Sequence, residues 1–280
     1  MTRYLIAAAL AAATSGAAYA AALPFATGFE SSQGYANGSQ LSAKANWSGD
    51  GQDSSAWAVT NSTVNGLGAS SGSQWVLVTA PTASGATRQR SQWVVTPASD
   101  LTTQAPITGS ADVRLIAPSS GTLNRTTSAS IAMFDNDEFM IASLSLIVDC
   151  ENNFHFGVNH TLLQFYSFGV SQKVYDLSAT SDLTHYYSLS LTADFAAGTY
   201  RGSVNGTPLD YIGSLQGATT FRDFDLGADA RTNTSGGQRA RAGFDNYSIS
   251  QVPEPGAATL FAMAAGAALR RRQRCRARAR

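Results

Sequence analysis

Charge is scarce in this sequence: Asp, Glu, Lys and Arg together make up 14% of its 280 residues. Cysteine is scarcer still, with Cys150 and Cys275 the only two. They lie too far apart for a metal-ligand spacing, and Cys275 falls within a basic tail, so a disulfide framework is not expected. If that tail is removed, Cys150 is alone, and the burial bias of cysteine makes it a small buried residue of a strand. Between Leu23 and Gln251 no stretch of eleven or more residues repeats its apolar positions with the 3.6-residue period of an amphipathic helix. A Gly-x-Ser-x-Gly elbow, a His-Glu-x-x-His helix and a phosphate loop are also missing, which excludes the common serine-hydrolase, zinc-peptidase and nucleotide-binding signatures.

What fills the middle of the chain is Gly, Ser, Thr, Ala and Asn, interrupted regularly by aromatic residues. Hydrophobic residues at 44% and aromatics at 10% exclude a disordered chain. The formal net charge is zero, but seven of the last eleven residues are arginine. Between Leu23 and Val252 there are eleven basic and eighteen acidic residues, a formal charge of −7. An acidic body of this kind argues against nucleic acid or anionic lipid as a partner.

Both ends read as targeting segments. Residues 1–22 have the form of a secretory signal peptide: Arg3 in front, an apolar run from Leu5, and small residues with cleavage expected after Ala20 or Ala22. At the other end, Val252-Pro253-Glu254-Pro255 precedes an apolar run from Gly256 to Leu269 and then the arginine cluster. The prolines separate this segment from the preceding domain. Fourteen residues of helix would span about 21 Å, short of the roughly 30 Å hydrocarbon core, so only a transient, marginal membrane insertion is expected, with the arginines on the cytoplasmic side. This order of motif, hydrophobic segment and basic end resembles the PEP-CTERM sorting signal of Gram-negative bacteria. The resemblance covers residues 252–280 and implies recognition by an exosortase and cleavage near the motif. It implies residence in the cell envelope or outside the cell, and says nothing of the body.

The body, residues 23–251, alternates short β-branched and aromatic runs with Gly, Asn, Asp, Ser and Pro. Strands are expected at Trp75–Thr79, Gln92–Thr96, Ser110–Leu115, Ser128–Phe134, Phe139–Val148, Asn153–Val158, Leu163–Val170, Tyr186–Thr192, Gly198–Val204 and Gly243–Ser250. Asn205-Gly206 is a strong two-residue hairpin signal, and Asp135–Glu138 reads as a second turn. The last strand is expected to pair with the segment around Ala26–Glu30. Strands at this spacing predict an all-β antiparallel sandwich of jelly-roll type, flanked by an N-terminal signal helix and a short C-terminal hydrophobic helix. The opening Gly28-Phe29-Glu30, Trp93–Pro97 leading to Asp100-Leu101, and the closing Gly243–Tyr247 resemble concanavalin A-like lectin and glucanase sandwiches. The Ser/Gly-rich stretch from Asn61 to Ser73 is read as a long surface loop.

Chemistry is thinly signalled. Asp149-Cys150-Glu151 places two carboxylates on one face of an extended strand, but a third acid is absent at Asn153 and the following asparagines signal a turn. Asp135, Asp137 and Glu138 are candidate oxygen ligands for Ca²⁺, although consecutive turn residues rarely converge on one ion. Asp223 and Asp225 form a second acidic group. His155 and His160 are five apart, which in a strand turns them to opposite sides, and His185 is read as a strand-entry residue. Trp75 and Trp93 lie in strong strand runs and are expected in the core. Trp47 and Trp57 lie in polar loops and are the candidate exposed contacts for sugar rings.

Two functions compete on this reading. One is a non-catalytic envelope or matrix protein, sorted by an exosortase and associated with exopolysaccharide. The other is a carbohydrate-binding or carbohydrate-active protein of the concanavalin A-like class.

Overall fold

A computed structural model describes residues 25–44, 47–49, 57–79, 89–95, 105–116, 126–167, 170–230 and 241–251. Residues 1–24 and 252–280, including Ala20, Ala22 and Val252 to Pro255, lie outside the described residues. The strands run in chain order as β1 (Phe25–Thr27), β2 (Trp47–Gly49), β3 (Trp57–Thr60), β4 (Trp75–Thr79), β5 (Gln89–Val95), β6 (Ile107–Ile116), β7 (Thr127–Phe134) and β8 (Met140–Asp149). They continue as β9 (His160–Ser167), β10 (Val170–Ser178), β11 (Tyr187–Asp194), β12 (Thr199–Val204), β13 (Thr207–Ser214), β14 (Asp223–Ala230) and β15 (Arg241–Gln251). Short 3₁₀ turns at Ser31–Gln33 and Leu41–Ala43 are the only helical pieces among the described residues.

These strands form two antiparallel sheets. The eight-stranded sheet has the order β13-β12-β11-β6-β15-β4-β3, with β1 added on β15, and the seven-stranded sheet has the order β10-β9-β8-β7-β14-β5-β2. The expected two-sheet antiparallel sandwich is therefore present. Its cause is the period-two pattern of each strand. In β7 the apolar Ala129, Ile131 and Met133 enter the core while Ser128 and Ser130 turn out, and in β11 Leu189, Leu191 and Ala193 alternate with Ser188, Ser190 and Thr192.

Aromatic rings fill the space between the sheets. Tyr247 lies against Phe25, Trp47 and Phe224, with ring centroids 5.1–6.0 Å apart, and its hydroxyl donates to the Phe224 carbonyl at 2.7 Å. That bond ties β15 in one sheet to β14 in the other. At the far edge Phe165 packs on Tyr200 and Tyr211, while the Tyr175 hydroxyl donates to Asp210, joining edge strands β10 and β13.

The last strand pairs with the N-terminal segment as expected, in the register Phe25↔Ile249, Ala26↔Ser248, Thr27↔Tyr247. One expected strand is absent. Residues 153–158 form a loop, because Asn152, His155, Gly157 and Asn159 take positive φ and the carboxylate of Asp149 and the amide of Asn152 capture the loop's backbone N–H groups. The expected Leu163–Val170 run is broken between β9 and β10, and β2, β3, β10, β13 and β14 were not among the expected strands.

Candidate functional site

The outer face of the seven-stranded sheet follows from its register. Leu144, Leu146, Leu163, Phe165, Phe224 and Leu226 point inward. Their neighbours in sequence therefore form rows on the opposite face. One row is Gly227, Ser130, Ser145 and Gln164, from β14 across β7 and β8 to β9. The next is Asp225, Ala132, Ser143 and Tyr166. The middle strands thus present a floor of small Ser, Ala and Gly side chains, with the half-buried Gln164 and Tyr166 standing beside it. Gln164 Nε2 donates to the Ser171 hydroxyl of β10 at 2.8 Å, which fixes the amide. At the end of β9, His160 Nδ1 lies 2.9 Å from Asp176 Oδ2, so the ring is oriented by a carboxylate. The result is a set of hydroxyls, an amide, a phenol and an oriented imidazole on one sheet face.

The acids predicted from sequence serve the backbone. Asp149 is fully buried, and its carboxylate accepts from Thr126 Oγ1, the Glu151 and Phe154 N–H groups and Asn153 Nδ2 at 2.9–3.2 Å. These donors outweigh burial and hold its pKa below the ordinary carboxylate range. Asp135 Oδ1 accepts the Asp137 and Phe139 amides at 3.0 and 2.9 Å, closing the β7–β8 turn. Glu138 in that turn pairs with Arg222 at 2.6 Å. Asp137 stays exposed. No group of three or more His, Cys, Asp or Glu side chains able to hold a metal occurs among the described residues. Asp223 and Asp225 are both buried at 3% exposure on β14, and Asp223 lies 3.2 Å from Arg222 Nε.

Trp47 and Trp57 are not exposed contacts, and that expectation is corrected. Trp57 is fully buried in β3, stacked on Phe244 at 5.4 Å. Trp47 is 5% exposed in β2, and its indole N–H donates to the Tyr35 hydroxyl at 2.9 Å. Each indole occupies an inward position of a short strand. Trp75 is buried as expected, but on the outer face of its sheet, where it stacks against Arg114. The side chain of Trp93 lies outside the described residues. Cys150 follows β8 and is half-buried, and burial beside Asp149 and Glu151 pushes its thiol up to about 11. His185 is bonded at the start of β11 to Asp182, which also accepts from Thr184 and Tyr187 and is held at about 2 despite partial burial.

Sequence reasoning missed a polar cluster on the outer face of the eight-stranded sheet. Asp112 and Arg114 of β6 and Asp245 of β15 hold the connection between β3 and β4 against the sheet. The signal was present in β6, where Ser110, Asp112 and Arg114 alternate with Ala111, Val113 and Leu115.

No protein-family profile matches this chain, and no curated protein matches it. Solved structures do. An alginate lyase from Pseudomonas aeruginosa matches at 18% identity over 64% of this chain and 83% of its own, with a TM-score of 0.44. A GH131 β-glucanase catalytic domain from Podospora anserina matches at 15% identity over 63% and 72%, with a TM-score of 0.44. The CBM2 module of an evolved Dit protein of Lactobacillus casei BL23 phage J-1 matches at 9% identity over 81% and 94%, with a TM-score of 0.49.

Proposed function

We propose that this chain is an exported carbohydrate-binding sandwich of the concanavalin A-like kind, which holds a polysaccharide across the outer face of its seven-stranded sheet. The observation that carries this reading is the row Ser130, Ser145 and Gln164 beside Tyr166 on one sheet face. Hydroxyls and a fixed amide hydrogen-bond sugar hydroxyls, and a phenol ring offers an apolar face to a pyranose. Ser130, Ser145, Gln164 and Tyr166 are part-exposed, so a sugar chain lying along this face would meet them.

Binding is favoured over glycoside hydrolysis by the state of the carboxylates among the described residues. Glycoside hydrolysis needs two carboxyl groups facing each other across the substrate. On this face Asp149 is consumed by four donors, and Asp223 and Asp225 are buried. Export and exosortase sorting are part of the same proposal, supported by the two terminal segments of the sequence. Exopolysaccharide of the envelope is then the natural ligand class.

Depletion of the protein from solution by insoluble polysaccharides, followed by calorimetry with soluble oligosaccharides, tests the binding. Tyr166→Ala is expected to weaken binding about tenfold, the equivalent of about 1.4 kcal/mol, with the melting temperature little changed. Absence of binding to neutral and acidic polysaccharides alike would sink the reading. The sorting part is tested by mass spectrometry of the mature C-terminus. A product ending near Val252–Pro255 supports it, whereas an intact arginine tail on the envelope-resident protein points to an uncleaved anchor.

A further inference from the structure

The opposite face of the sandwich carries a polar construction that sugar binding on the seven-stranded sheet does not use. Residues 61–74 cross the outer face of the eight-stranded sheet as a strap between β3 and β4. The strap contains no ionisable side chain. It is held by side chains of the sheet beneath it. Asp245 Oδ2 accepts the Ser70 and Ser71 amides at 2.8 and 3.0 Å. Asp112 Oδ2 accepts the Ser70 hydroxyl at 2.6 Å, and the Ser71 hydroxyl donates to Asn246 Oδ1 at 2.7 Å. Further along, Glu30 accepts the Ser73 amide and hydroxyl and the Gln74 amide. On the other side Arg114 Nη2 donates to the Leu67 carbonyl at 3.1 Å, and the Tyr186 hydroxyl donates to the Gly68 carbonyl at 3.2 Å.

Asp112 and Asp245 are direct partners in the β6–β15 ladder, so their side chains emerge from the same face opposite one another. One residue, Ser70, bonds to both. Asp245 is fully buried and Asp112 is 9% exposed. Two carboxylates buried at opposed positions repel when both are ionised. The other groups facing the pair are few. Asn246 Nδ2 and the Ser188 hydroxyl donate to Asp112. Arg114, one pair along β6, has its guanidinium between the rings of Trp75 and Tyr186, at 4.5 and 4.8 Å. Arg241 lies on β15 diagonal to Arg114, and Glu30 stands at the far end of the strap.

We propose that the strap is a proton-tightened latch: a proton on the buried Asp245, opposite Asp112, holds residues 61–74 firmly on the sheet in mildly acidic surroundings, and its loss loosens them over Trp75, Arg114 and Tyr186. Burial, with Asp112 beside it, pushes Asp245 up to about 6, against the pull of the Ser71, Asn246 and Ser70 amides. With the strap lifted, Asp245 faces water and returns toward the ordinary value of about 3.9. The closed form therefore binds the proton more tightly than the open form. Its extra stability is complete below the open-state value and fades as pH rises through about 6. The amide bonds to Asp245 persist in the ionised form, so the strap loosens without detaching.

Amide hydrogen exchange on the full chain tests this. Protection of the Ser70 and Ser71 amides, corrected for the intrinsic exchange rate, is expected to fall about tenfold between about pH 5 and pH 8. Protection of the Ala228 amide in β14 should stay level over the same range. Asp245→Asn removes the titrating group and should make strap protection independent of pH. Asp112→Asn removes the repulsion and should shift the fall to lower pH, which decides the matter should the first variant not fold. Strap protection that is flat with pH in the unmodified protein overturns the proposal, as does an unchanged slope in either variant.

Discussion

At Trp57 the indole lies nearly parallel to Phe244 with no exposure to solvent, although its sequence neighbours are Ser, Asp and Gly. The polarity of a loop describes the loop backbone, which must stay hydrated, and not the one large side chain the loop delivers to the core. Trp57→Ala removes that stacked ring and is expected to cost about 3–5 kcal/mol in denaturant unfolding. The acids show the converse. Asp182 gathers Thr184, His185 and Tyr187 and is held at about 2. A lowered carboxylate contributes stability above its unfolded value of about 3.9, and that contribution disappears as pH falls through about 2. Asp182→Asn should therefore lower the melting temperature at neutral pH and leave it unchanged near pH 2, as read by circular dichroism. Asp245 has the opposite sign, because burial outweighs its donors. The Trp57 and Asp245 environments were not legible residue by residue, since each depends on partners far away in the chain.

Among the elements, the hairpin at Asn205-Gly206 was legible because its turn is local: both residues take the positive φ that a two-residue β-turn requires, 50° and 76°. The turn at Asp135–Glu138 was legible for the same reason. β14 was not, because Asp223 and Asp225 stood out only as an acidic group. Its alternate Phe224, Leu226 and Ala228 bind it into the core between β5 and β7. β13 was hidden by Pro208, which is tolerated because β13 is an edge strand. Close packing between elements also sets glycine positions. Gly109 of β6 lies directly beneath the ring of Phe224 from the other sheet, and an added methyl would collide with it. Gly109→Ala is expected to destabilise the sandwich by about 1–3 kcal/mol, measured by thermal melting.

On the scale of the molecule, the sandwich is closed by pairing chain ends: β1 pairs with β15, which also pairs with β6 and β4 at the centre of its sheet. Phe25 joins the two ends to the aromatic core through Trp47 and Tyr247. Phe25→Ala is expected to cost about 1–2 kcal/mol, a fall of about 2–8 °C in Tm, without altering the outer face of the seven-stranded sheet. The two faces are chemically distinct. One carries part-exposed hydroxyl, amide and phenol groups, and the other is covered by a strap. The sugar-binding proposal and the latch proposal therefore fail or stand separately.

By itself the sequence determined what depends on local pattern: an all-β chain, most of its strands, its tightest turns, an acidic body, and terminal segments with the composition of sorting signals. Period-two alternation and turn chemistry act over a few residues, so they can be read without the fold. Only the tertiary structure decided which face each polar residue occupies and whether a carboxylate meets water, a backbone amide or another carboxylate. Those outcomes depend on strand register between residues as distant as Asp112 and Asp245, and register is fixed by the collective burial of two sheets.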